Sequence, residues 1–190
     1  KNTDEEEFRT SLIELCRRLS ADIVRNGEGT QHVVRVTVKG APNNIIARDL
    51  GRFIVNSNLV KCAITGSDPN VGRIVGAIGS YLGSASVISS IGTEAALKIS
   101  RGLTVALGGF VVFSDGAFQL DPVKEKELSD YMLDAQLFPA SVPEHDRTYP
   151  PHDKYVDIEV TIAWNETGSC VVIGSDLTKE YVEVNADYRS

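Results

Sequence analysis

The sequence predicts an α+β fold, mixed sheets packed with helices, on three observations. Apolar residues recur at helical spacing near the N-terminus, they alternate in several short runs, and the two patterns interleave without the strict strand–helix–strand rhythm of a doubly wound sheet. The 190 residues, 42% hydrophobic and 24% charged, match an ordinary globular composition and are read as one domain spanning residues 1–190.

The first helix is marked by Thr3 and Glu6 as a capping box, with acidic residues crowding the first turn where the helix dipole favours them. Phe8, Leu12, Leu15, Cys16, Leu19 and Ile23 follow at helical spacing, and Asn26-Gly27 is the stop. Val33 to Val38 alternates, with Val34, Val36 and Val38 on one side, and predicts a half-buried strand closed by Gly40 and Pro42. A second helix places Ile46, Leu50, Phe53 and Ile54 on one face, and the apolar run Leu59 to Ile64 suits a buried strand.

Asp68-Pro69 predicts the next helix, Asp as N-cap and Pro at the first helical position, with Val71, Ile74, Val75, Ile78 and Leu82 on one face; Gly72, Gly76 and Gly79 would allow a close approach. A serine- and glycine-rich stretch without a clear period comes next. Leu103 to Leu107 and Phe110 to Phe113 read as a hairpin around Gly108-Gly109. Asp121-Pro122 opens a helix containing Leu128, Tyr131 and Met132. Four prolines between Phe138 and Asp153 mark an exposed connection. Tyr155 to Trp164 and Cys170 to Ile173 read as strands paired around an Asn165 to Gly168 turn, followed by a polar tail.

Composition excludes several functions. A net charge of −7 and a pI near 5.0 argue against binding a nucleic-acid backbone, which needs a basic face. The uncharged stretch from Ile74 to Thr93 is too rich in glycine and serine for a transmembrane helix. Cys16, Cys62 and Cys170 are scattered and odd in number, which predicts reduced thiols and a reducing compartment. The polar, acidic start lacks an initiator methionine and is unlike a signal peptide, so the chain is expected to begin at a processing point or at the edge of an expressed piece.

Generic catalytic templates are missing: there is no G-x-S-x-G elbow, P-loop or H-E-x-x-H helix. Gly27-Glu28-Gly29 follows a helix instead of a strand, which argues against a dinucleotide fingerprint. Glu28 lies just past a helix C-terminus, where the dipole disfavours a carboxylate, so it is either a solvated turn residue or the partner of a cation. Asp68 to Arg73 reads equally as an anion-facing helix start or as a capped helix with Arg73 in a structural pair. His145 and His152, with Glu144, Asp146 and Asp153, lie in a proline-rich loop that fixes no metal geometry, so no metal site is assigned. Neither Gly29-Thr30 nor Gly92-Thr93 puts a threonine at a chain start, and no nucleophile is identified.

Five blocks taken together resemble the β chain of the ornithine acetyltransferase family, also called bifunctional glutamate N-acetyltransferase. They are Ile23 to Thr30, Asn56 to Lys61, Asp68 to Arg73, Ser175 to Thr178 and Asn185-Ala186-Asp187-Tyr188-Arg189-Ser190, in family order. The resemblance implies a layered sandwich completed by an α chain, and a precursor that cuts itself before a threonine. That threonine, expected upstream of Lys1, would carry acetyl from N-acetylornithine to glutamate in arginine biosynthesis. It implies a cytoplasmic enzyme (the mitochondrial matrix in a eukaryote), an α2β2 or larger assembly, no cofactor, and acetyl-CoA as a possible second donor. By the same resemblance Glu28, Asn185 and Ser190 contact an amino-acid substrate, whose ammonium and carboxylate groups they complement. The chain departs from the family's usual residues at Thr30, Gln31 and His32, at Val71 where tryptophan is usual, and at Ile173 to Ser175. These departures keep open a paralogue acting on another amino acid or amine, or a non-catalytic binding or assembly subunit.

Overall fold

The computed structural model describes residues 3–139, 141–143, 146–164 and 167–186. Its centre is one six-stranded mixed sheet. In chain order the elements are α1 (Thr3–Arg25), β1 (Val33–Ala41), α2 (Asn44–Val55), α3 (Asn58–Thr65), α4 (Val71–Leu82), α5 (Ala85–Ile91) and α6 (Thr93–Arg101). Then come β2 (Leu103–Leu107), β3 (Phe110–Ser114), β4 (Ala117–Phe118), α7 (Pro122–Asp134), β5 (Val156–Ile162), β6 (Gly168–Ser175) and α8 (Lys179–Ala186). The strand order is β4-β3-β2-β5-β1-β6, with β1 parallel to β5 and antiparallel to β6.

The alternation read in β1 holds. Val34, Val36 and Val38 are buried with Val156, Ile158 and Val160 of β5 and Leu103, Val105 and Leu107 of β2. α2 lies over β1 and β6, α4 packs on α2, and α3, α5 and α6 extend that layer. The opposite face is polar: Arg35 pairs with Asp157 directly across the β1–β5 ladder, and Lys39 reaches Glu159 at 2.6 Å. The guanidinium of Arg35 also stacks 4.3 Å above the Tyr155 ring, and its pKa is raised, first by its hydrogen bond to Asp157.

Several expectations change. The Leu59 to Ile64 run is helical, because Ser57 caps Val60 N and the run continues into the hydrogen-bonded turn of Lys61 and Thr65. A short apolar run does not distinguish strand from helix by periodicity. The N-cap of α4 is Asn70 rather than Asp68: Asn70 Oδ1 accepts from Arg73 N at 3.3 Å, and Asp68 instead accepts from Asn70 Nδ2. Nothing approaches Gly76 or Gly79 within 4 Å of a Cβ, so these glycines serve no close packing here. Of the α2 residues read on one face, Ile46, Leu50 and Ile54 are buried, while Phe53 is 41% exposed and tilted against Tyr81.

The serine-rich stretch forms α5 and α6. It escaped periodicity because only Val87, Ala96 and Ile99 of the two helices are buried. β5 and β6 are not a hairpin, since β1 lies between them; Asn165 and Glu166 of the expected turn lie outside the described residues. The β2–β3 hairpin holds, with Gly108 and Gly109 both at positive φ (56° and 85°) as a tight primed turn requires. Asp121 caps α7 through Val123 N and Lys124 N with Pro122 at its first position, as read. Among the described residues no single helix is long and apolar enough to cross a membrane; α4 and α5 pass that test only jointly, across a 59° bend.

Candidate functional site

The glycine–glutamate–glycine turn is held from both sides. Upstream, Arg25 ends α1 with its guanidinium only 2% exposed. It donates to Asp22 (2.9 Å), the His152 carbonyl (3.0 Å) and the Tyr155 hydroxyl (2.9 Å), which fixes where the helix stops. His152, considered above for a metal, is thus bound to Arg25 and stacked on Tyr149. His145 and Glu144 lie outside the described residues, and among the described residues no group of three His, Cys, Asp or Glu side chains gathers around a point.

Downstream, Gly29 takes φ +64°, and a Cβ there would come within 2.5 Å of Tyr181 N. The missing side chain lets the start of α8 lie on the turn. Thr178 makes the joint: its hydroxyl donates to the Gly29 carbonyl at 2.7 Å and accepts from Tyr181 N at 3.1 Å, capping α8 while tying it to the turn. Gly29→Ala is therefore expected to cost at least about 1 kcal/mol through the left-handed backbone alone. It should also raise hydrogen exchange selectively across α8; unchanged protection of those amides would contradict this coupling.

The approach to the polar tail is the helix α8 (Lys179–Ala186), and it delivers Asn185 to the turn. Asn185 Nδ2 donates to Glu28 Oε2 at 3.3 Å and to the Tyr181 carbonyl at 2.8 Å. Two residues 157 positions apart, singled out for one substrate, stand side by side and exposed. Ser190, the third, lies outside the described residues.

Near this pair is a buried polar knot whose centre, Asp176, lies in the Ser175 to Thr178 block. Asp176 accepts from Gln31 N at 3.1 Å through Oδ1; its Oδ2 faces His32 Nδ1 at 2.8 Å and the Thr65 hydroxyl at 3.3 Å. His32 is fully buried, and its Nε2 faces the Met132 carbonyl at 3.2 Å. Thr65 also donates to the Leu177 carbonyl at 2.9 Å. One carboxylate thereby joins the exit of the turn, the end of α3 and the approach to α8, and His32 adds α7. The hints in the sequence were the Ser175 to Thr178 block, singled out only as part of the family resemblance, and the departure of Gln31 and His32 from the family pattern.

A separate cleft of about 790 Å³ opens between α2, α3 and α4, lined among others by Arg52, Phe53, Asn56, Asn70 and Arg73. Arg73 Nη1 donates to the Leu59 carbonyl at 3.1 Å, tying α4 to α3; this is a hydrogen bond to a carbonyl and not the ion pair that the capped-helix reading expected. Val71, where the family usually has tryptophan, is buried in the core and does not line this cleft.

The model of the ArgJ family matches residues 1–190. The chain belongs to the ArgJ family. Among its ArgJ relatives is the arginine biosynthesis bifunctional protein of Bifidobacterium longum, 34% identical over 98% of this chain and 39% of that protein. The protein of the same name from Bacillus subtilis is 32% identical over 96% of this chain and 36% of its own length. The crystal structure of the ArgJ protein of Bacillus halodurans superposes with a TM-score of 0.72 at 29% identity, covering 98% of this chain and 71% of that one. The chain spans under two fifths of the length of these curated ArgJ relatives. The superposition agrees with the α+β architecture expected from the sequence.

Proposed function

We propose that this chain is the β-chain part of an acetyltransferase that moves acetyl from N-acetylornithine to glutamate in arginine biosynthesis. The observation that carries this reading is the meeting of Glu28 and Asn185 across the turn and α8, in a chain of the ArgJ family. The curated relatives bear the name arginine biosynthesis bifunctional protein, which supports the same reading.

In this reading Glu28 takes the cationic ammonium of the amino-acid substrate. The carboxylate occupies a site where the C-terminal end of α1 disfavours negative charge, and a cation offsets that cost. Asn185 orients Glu28 and offers its amide to the ligand, and Ser190 adds a hydroxyl. The reacting threonine belongs to the precursor upstream of Lys1 and is exposed by self-cleavage. Its hydroxyl, deprotonated by its own α-amine, attacks the acetyl carbonyl of N-acetylornithine; the C–N bond breaks and the proton passes to the departing ornithine amine. The α-amine of glutamate then attacks the acetyl ester, and the threonine hydroxyl recovers its proton. Hydroxyl donors of the α chain stabilise the oxyanion in both steps. The acyl group travels on threonine, so no resident cofactor is needed, and acetyl-CoA can serve as an alternative donor. We place the enzyme in the cytoplasm, as an α2β2 or larger assembly.

Intact-mass measurement of the protein made from its full gene tests this directly. Two chains are expected, and N-acetylornithine should add about 42 Da to the chain that opens with threonine. An uncleaved product, or no adduct after exposure to donor, would refute the proposal.

A further inference from the structure

The turn that carries Glu28 and the helix that carries Asn185 share one anchor. Both side chains are exposed, and the 3.3 Å contact between them holds each to the other without fixing either in space. α8 buries none of its eight residues, and a helix of about two turns without packing is not stable on its own. Its start is held by Thr178. That hydroxyl accepts from Tyr181 N at 3.1 Å as the helix cap, and it donates at 2.7 Å to the carbonyl of Gly29, the residue after Glu28. The Glu180–Arg147 pair at 3.5 Å is a weaker, partly exposed tie. Thr178 is 4% exposed and lies two residues after Asp176, whose buried bonds fix the segment from which the hydroxyl reaches the turn. A side chain so covered touches no ligand and can act only through its neighbours.

We propose that Thr178 is the positioning residue of this site. Its one hydroxyl sets Glu28 through the Gly29 carbonyl and Asn185 through the start of α8, and so fixes the spacing of the two groups that grip the amino-acid substrate. This rests on the reading of Glu28 and Asn185 as the substrate pair. Both partners hang on the same oxygen, so its loss displaces them together, and a misplacement of about 1 Å in such a support costs roughly 100-fold in rate. The oxygen has to donate and accept at once. Serine meets that need; valine keeps the shape of threonine and meets neither half of it.

The experiment is a kinetic cycle in the enzyme made from its full gene, with thermal melts and hydrogen exchange on each variant. Thr178→Val should lower kcat/KM for N-acetylornithine by roughly 10- to 100-fold, and should raise exchange in the turn and α8 while the central strands keep their protection. Thr178→Ser should restore most of the activity. In a Glu28→Gln background Thr178→Val should cost markedly less, because the charge it positions is gone. Parent-like kcat/KM in Thr178→Val would overturn the inference, and so would an equal fold loss in both backgrounds, which marks general damage. Should Thr178→Val fail to assemble, Thr178→Cys, close to serine in size with a weaker donor and acceptor, carries the same comparison and the same outcomes. A full-gene enzyme that forms no acetyl-threonine would strike the proposed reaction, and exchange at α8 with its recovery in Thr178→Ser would still decide the joint. Acetyl transfer undiminished in Thr178→Val would strike the positioning role and leave the reaction standing.

Discussion

Replacing Glu28 by glutamine in the assembled enzyme should lower kcat/KM for N-acetylornithine by roughly 10- to 100-fold, the worth of one charge-assisted hydrogen bond. Glutamine keeps the shape and can still accept from Asn185, which donates at 3.3 Å, so the turn and α8 should stay in place. What disappears is the negative charge facing the substrate ammonium. The loss should fall mainly on KM if that contact is equally strong in ground and transition states, and on kcat if it tightens as the acetyl group is transferred. Steady-state kinetics with a thermal melt as control is the measurement. Unchanged kcat and KM at unchanged stability would remove Glu28 from the substrate site.

Asp176→Ala should have the largest effect on stability, a loss of roughly 3–5 kcal/mol. The carboxylate is buried, and its removal strands Gln31 N and leaves His32 and Thr65 without the partner that joins them. For a chain of this size the midpoint of thermal unfolding should drop by roughly 6–20 °C. Asp176→Asn should recover most of the loss. Its oxygen can still accept from Gln31 N while its amide donates to His32 Nδ1, with His32 in the tautomer that holds its proton toward the Met132 carbonyl. Equal melting of both variants would show that the knot contributes through packing instead of hydrogen bonding.

Much of the fold was legible because local rules were obeyed locally. β1 alternates because one face of the sheet is covered and the other is solvated. α7 starts where Asp121 and Pro122 say it should, and the β2–β3 hairpin turns where two glycines accept positive φ. The misreadings share a different cause. Leu59 to Ile64 is too short for its period to declare a helix, and α5 and α6 bury too few residues to write a period at all. The β5–β6 pairing looked local, yet β1, more than a hundred residues upstream, takes the place between them. A strand's ladder partner is set by the whole sheet, and nothing in either strand's own sequence names it.

The site divides the same way. Glu28 was visible from sequence as a carboxylate in an unfavourable place, between two glycines beyond a helix end. Asp176, Thr178 and His32 drew no attention as individual residues, since an aspartate, a threonine and a histidine near strand ends are ordinary until their partners are known.

By itself the sequence determined the helix limits set by caps and glycines, the buried side of the central strands and the charged turn after α1. Those depend on residues a few positions apart and on the backbone's own stereochemistry. Only the tertiary structure decided that Asn185 meets Glu28, that Asp176 ties four segments into one support, and that Thr178 joins α8 to the turn. Each of these depends on segments brought together from up to 157 positions apart, where packing of the whole chain, and no local propensity, sets the distance.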